Sequence, residues 1–156
     1  MANSILQWNC RGLRANLDEV QRLLREFNPS AMCLQETFIT NTLSFRNYSH
    51  YNKFGPSDGR PSGGVSILVN NKTPHSFINL NTRLQAVAIS VTLHRVFTIC
   101  NIYIPPNAPL HGRDLDNILS QLPIPFLILG DLKIQNLLLN HFSFRTPYLY
   151  STASNK

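Results

Sequence analysis

Residues 4–37 read SILQWNCRGLRANLDEVQRLLREFNPSAMCLQET, and the succession of patterns within them decides the fold. Ser4 to Trp8 is a short apolar run. Leu17, Val20, Leu24 and Phe27 then recur at three- and four-residue intervals and draw one helical stripe. Asn16 is placed to cap that helix, with Glu19 returning a bond to the cap, and Asn28-Pro29 supplies the stop. Ala31 to Gln35 is a second apolar run. A strand, a helix and a strand in so short a span predict two parallel strands joined by a right-handed crossover.

Downstream of Phe45 the pattern turns to strands without helices, at Arg46–Lys53, Val65–Asn70, Leu84–Val91 and Val96–Tyr103, which are expected to pair antiparallel. Phe54 to Gly64, with two prolines and four glycines, reads as a loop, and Leu93-His94-Arg95 as a tight connection. Leu115, Ile118, Leu119 and Leu122 signal a second helix, stopped at Pro123. Phe126 to Leu129 is then a buried strand closing on Gly130-Asp131. The order is mixed α/β. No internal repeat or low-complexity run occurs.

Composition narrows the class of function. The 156 residues, 43% hydrophobic and 14% charged, suit one globular domain and exclude a disordered tail or a fibrous repeat. Fourteen Lys and Arg against eight Asp and Glu leave +6, which favours a polyanionic partner, nucleic acid first. No run is long enough to cross a bilayer, and Met1 to Gln7 lacks the features of a secretory signal, so the expected location is nuclear or cytoplasmic. Cys10, Cys33 and Cys100 lack the spacing of zinc or disulfide sites and read as reduced, buried thiols. All eight acidic residues lie at or before Asp131. Residues 132–156 carry none and read as a divergent, poorly ordered tail beyond a domain covering 1–131.

Four polar residues close apolar runs: Asn9, Glu36, Tyr103 and Asp131. Ligands of open α/β sheets bind outside the carboxyl ends of parallel strands, where these side chains would gather. Two carboxylates, an amide oxygen and a phenol suit magnesium and a phosphate, because magnesium takes oxygen ligands and keeps several waters. From spacing alone each residue is equally a strand-end cap or turn former: Asn9 can begin a turn, and Tyr103 can sit half-buried with its hydroxyl in water. Glu36 and Asp131 demand more, since a carboxylate after a buried run requires a facing cation or donor, the cation being either a metal or an arginine.

These residues carry a resemblance. Leu6-Gln7-Trp8-Asn9-Cys10-Arg11-Gly12-Leu13, Cys33-Leu34-Gln35-Glu36-Thr37, Ser62-Gly63-Gly64-Val65, Ile102-Tyr103-Ile104-Pro105-Pro106-Asn107 and Leu129-Gly130-Asp131 together resemble the endonuclease/exonuclease/phosphatase superfamily. More narrowly, they resemble the endonuclease domain of jockey-type non-LTR retrotransposons. The resemblance implies part of a four-layer, DNase I-like β-sandwich flanked by helices, and a metal-dependent phosphodiesterase that nicks DNA so that the 3′ end primes reverse transcription. It also implies Glu36 as magnesium ligand, Asn9 supporting that metal, Tyr103 positioning the scissile phosphate, and Asp131 orienting the attacking water or the active-site base. Arg11, Arg14, Lys53 and Arg60, beside the Asn9 motif and the glycine-rich loop, are expected phosphate contacts. Arg22 and Arg25 are spaced to pair with Asp18, Glu19 and Glu26 on a solvated helix face. An RNA-directed DNA polymerase (reverse transcriptase) domain is expected downstream in an intact element.

The departures from the family pattern are as specific. Leu132 and Lys133 replace the aromatic and the catalytic asparagine that follow Gly-Asp in the family, and no Ser-Asp-His segment occurs between Ile134 and Lys156. The C-terminal portion of the sandwich is therefore expected to be missing, one sheet face bare, and turnover small or absent. His141 lacks an adjacent acid and reads as a surface or packing residue, as do His50, His75, His94 and His111. An inactive retroelement remnant with weak nucleic-acid binding is the alternative. A repair nuclease or small-ester phosphatase on the same site is the third reading.

Overall fold

The computed structural model describes residues 4–56 and 58–131. Along them run β1 (Ile5–Asn9), α1 (Leu17–Phe27), β2 (Ala31–Gln35), β3 (Tyr48–Lys53), β4 (Val65–Asn70), β5 (His75–Ile78), β6 (Gln85–Thr92), β7 (Val96–Tyr103), α2 (Gly112–Gln121) and β8 (Phe126–Asp131). The described strands form two four-stranded sheets, ordered β1-β2-β4-β3 and β5-β6-β7-β8. β1 and β2 are parallel, as the crossover reading requires, and so are β7 and β8, which α2 connects. β3 pairs antiparallel with β4, and β6 with β7.

The two-residue period of the strands explains how four layers assemble. Ala31, Cys33, Val65, Ile67 and Val69 of the first sheet meet Val87, Ile89, Val91, Ile99 and Leu129 of the second in one core between the sheets. The alternate residues Met32, Leu34 and Leu68 face outward and bury Val20 and Leu24 of α1. Ala86, Ala88, Cys100 and Ile102 do the same for Ile118 of α2 and for Leu122. Helix, sheet, sheet and helix are thus stacked on three apolar interfaces.

Two sheets face each other among the described residues, so the expected bare sheet face is not found there: residues 75–131 supply a second four-stranded sheet whose inner side chains cover the first. β5 was not expected. Its sequence HSFI is too short and too polar to show a period. β3 begins at Tyr48, two residues later than expected, because Asn47 takes a left-handed φ of 65° in the turn before it. Asn28 ends α1 in a left-handed conformation with its N–H on the Leu24 carbonyl. The expected cap at the other end does not form: the Asn16 amide donates to the carbonyls of Cys10 (2.8 Å) and Gly12 (3.1 Å). Glu19 instead accepts from Arg22. The divergent tail expected at 132–156 lies outside the described residues.

Candidate active site

β1, β2, β7 and β8 all end at one edge of the sandwich, and their inner faces turn polar as they reach it. Along β1 the inward residues run Ile5, Gln7, Asn9, and along β7 they run Ile99, Asn101, Tyr103. Asn9 pairs with Gln35 in the parallel register of β1 and β2, and Tyr103 with Asp131 in that of β7 and β8. Glu36 is the first residue beyond β2. Its φ of 51° is uncommon for a residue with a side chain, and the neighbouring main chain holds it there. Cys10 N–H donates to Gln35 (3.0 Å), Gly12 N–H to Glu36 (2.7 Å) and Thr37 N–H to Gly64 (3.2 Å). Gly130 is required for β8 to lie where it does, because its φ is 154° and a Cβ there would fall 1.9 Å from the Ile102 carbonyl oxygen.

These constraints bring all four candidate residues together. The Asn9 side-chain nitrogen donates one hydrogen bond to Glu36 Oε1 and one to Asp131 Oδ2, each 3.1 Å, and so joins a carboxylate from each sheet. Tyr103 shares this cluster: burial first, then the Glu36 carboxylate beside its hydroxyl and the charge of Asp131, push its pKa up to about 12. The phenol therefore stays protonated through the neutral range and remains a donor. Asn9 Oδ1 is buried with no hydrogen-bond partner, an acceptor left facing nothing at the centre of the site.

Two carboxylates, a phenol and an orphaned amide oxygen form a donor set made of oxygen, which suits a hard divalent cation. No cluster of three or more His, Cys, Asp or Glu side chains gathers to hold a metal among the described residues. A cation here would be held by Glu36, with Asn9 in support and the rest of its shell from water or phosphate, an arrangement magnesium commonly accepts.

Sequence reasoning missed the polar floor of the site. Asn101 is fully buried on β7, donates to the carbonyls of Leu34 and Ser66 (2.9 Å each) and accepts from Gln35 Nε2 (2.6 Å), so one side chain ties the second sheet to two strands of the first. Gln7 adds a second tie, Nε2 donating to the Gly130 carbonyl at 3.1 Å. The available signal was an amide two residues before each strand-end residue, Gln7 before Asn9 and Asn101 before Tyr103. Behind the floor, His50 is bonded to the Leu43 carbonyl (2.9 Å) and Ser66 Oγ (2.8 Å), as suits a packing residue.

The basic residues divide. Arg11, Arg14 and Arg60 are exposed, with Arg14 bonded to Asn41 Oδ1 at 2.6 Å. Lys53 is tethered: its Nζ donates to the Thr82 carbonyl at 2.7 Å across the two sheets, and burial pushes its pKa down. Arg22 pairs with Glu19 and Glu26 on the exposed face of α1. Cys10, Cys33 and Cys100 are free, buried thiols that burial makes harder to ionise. No helix among the described residues is long and apolar enough to cross a membrane.

The chain belongs to the Endonuclease/Exonuclease/phosphatase family, whose model matches residues 6–132. It is 26% identical over 133 residues to the probable RNA-directed DNA polymerase from transposon X-element of Drosophila melanogaster, covering 81% of this chain and 14% of that protein. Among solved structures it is similar to the endonuclease domain of TRAS1, a telomere-specific non-LTR retrotransposon, with a TM-score of 0.58 and 16% identity over 81% of this chain and 57% of that one. An AP endonuclease from Archaeoglobus fulgidus aligns with a TM-score of 0.47 and 21% identity over 74% of this chain and 46% of its own. Nucleases of the family generally depend on a divalent metal.

Proposed function

We propose that the chain is the DNA endonuclease domain of a non-LTR retrotransposon, residues 1–131 forming the catalytic unit and magnesium serving as cofactor. The observation that carries this reading is the Asn9 amide bonded to Glu36 of one sheet and Asp131 of the other, with the Tyr103 hydroxyl on the same cluster. When bound, magnesium supplies stabilisation of the charge that builds on the phosphate and the leaving oxygen. Glu36 would hold it, with Asn9 in support. Tyr103, protonated at neutral pH, donates a hydrogen bond to a non-bridging phosphate oxygen and fixes the phosphate. Asp131 accepts a hydrogen bond from the attacking water and aims its oxygen at phosphorus. The new P–O bond forms as the P–O3′ bond breaks; the proton lost by the attacking water passes to bulk water and O3′ takes one from bulk water, leaving a 5′ phosphate and a 3′ hydroxyl suited to prime reverse transcription. Arg11, Arg14 and Arg60 contact the DNA backbone, whereas Lys53, held by Thr82, serves the strand end more than the substrate. A reverse transcriptase domain follows in the intact element, and a DNA substrate places the working protein in the nucleus or cytoplasm.

Lys133 stands, by motif, where the family has an asparagine, and this residue favours a second reading, a remnant that binds nucleic acid weakly and turns over little. Nicking of supercoiled plasmid with magnesium separates the two. The enzyme reading expects slow nicking by the parent, none by Glu36→Ala, and faster nicking by Lys133→Asn. No nicking by the parent or by Lys133→Asn, from protein shown to be folded, establishes the remnant.

A further inference from the structure

The loop after β2 and the proline- and glycine-rich 54–64 loop enclose a pocket of about 210 Å³, lined by Ile39, Thr40, Phe54, Pro56, Pro61 and Ser62. We infer that this pocket is a subsite for one nucleobase of the DNA strand, beside the phosphate that is cleaved; the inference rests on the endonuclease reading above. Its size is below the roughly 300–1,000 Å³ of sites that enclose a drug-sized molecule, and suits a single ring system. Phe54 leaves 43% of its surface in water, one of five large apolar side chains so exposed among the described residues, and its ring offers a stacking face. The lining holds no carboxylate, and the hydroxyls of Thr40 and Ser62 can meet the polar edge of a base.

The two loops are joined beside the pocket. Thr37 N–H donates to the Gly64 carbonyl at 3.2 Å and Phe38 N–H to that of Gly63 at 2.9 Å, so the two loops are clipped together along one side. Gly64 is held at φ 88°, and a Cβ there would fall 2.6 Å from Thr37 Oγ1, so glycine permits the close approach. Position and charge name the occupant. Ile39 lies three residues beyond Glu36, at most about 11 Å along an extended chain, within reach of a neighbouring nucleotide. Arg60 stands exposed on one loop, and on the other Arg14 is anchored by Asn41, next to Thr40 in the lining. Cations next in sequence to the lining of an aromatic-bearing pocket, or hydrogen bonding to a residue that is, suit a base whose flanking phosphates carry negative charge.

The test measures binding of the full chain to a short oligonucleotide in calcium, with 2-aminopurine placed at successive positions as a fluorescent base. Fluorescence is expected to change at one position near the cleaved bond. Phe54→Ala should weaken binding roughly tenfold and abolish that change. Phe54→Trp should preserve both, and Phe77→Ala, at an exposed aromatic outside the pocket, should leave both unaltered. Binding by Phe54→Ala equal to the parent, or no binding by the parent, overturns the subsite. Binding that depends on Phe54 in a protein that does not nick leaves the subsite standing and removes the enzyme.

Discussion

The Asn9 amide spends both of its N–H groups on carboxylates from different sheets, so the separation of Glu36 and Asp131 is set by one side chain. Tyr103 is the residue at which fold and chemistry are most easily separated. Its ring belongs to the core between the sheets while its hydroxyl belongs to the site, so Tyr103→Phe should leave the melting temperature unchanged and lower nicking about a hundredfold. Gly130→Ala should do the reverse of a site mutation, because its Cβ would strike the Ile102 carbonyl. We expect a loss of about 3 kcal/mol or more by urea denaturation. His50 sets an acid limit on stability. Burial pushes its pKa below the ordinary value, and the neutral ring serves both Leu43 and Ser66. The unfolded chain therefore binds the proton more readily, so this contribution is present above the ordinary histidine pKa and is lost as pH falls through the lowered one. His50→Gln should flatten the fall in melting temperature just below neutrality.

At the scale of elements, the sheets are held at a common spacing beneath the site by the bonds of Asn101 to Gln35, Leu34 and Ser66. Asn101→Leu keeps the volume but removes three buried hydrogen bonds and leaves the Gln35 amide without its partner in a dry interior. A loss of about 3 kcal/mol in denaturant is expected. Much of the element order was legible in the sequence: the stripe of Leu17, Val20 and Leu24, the apolar runs flanking it and the Asn28-Pro29 stop follow directly from period and turn chemistry. β5 was not legible, because four residues with one polar pair carry no period and are strand through pairing with β6. The Asn16 cap failed for a related reason, since spacing shows that an amide is near a helix start but not that the turn from Cys10 will claim it. Asn9, Glu36, Tyr103 and Asp131 were legible as a set because each closes a strand. Gln35 and Asn101 were not, because a buried amide one pleat earlier looks like ordinary polar alternation until both sheets are in view.

For the whole molecule, the four layers place the candidate site at one rim, with exposed arginines on the loops after β1 and before β4. A formal charge of +6, with exposed arginines at this rim, predicts DNA binding that weakens steeply with salt. Log affinity should fall linearly with log salt, and Arg11→Ala and Arg60→Ala should each reduce the slope by about one. A slope unchanged in both variants would move the DNA to another face. The central claim is that Glu36, joined to Asp131 by the Asn9 amide, holds a single divalent cation. Titration calorimetry of magnesium and manganese into the parent, Glu36→Gln and Asp131→Asn tests it directly. The account predicts one saturable site in the parent, lost in Glu36→Gln and retained in Asp131→Asn, at unchanged melting temperature without metal. Equal binding by all three, or none by the parent, would contradict it.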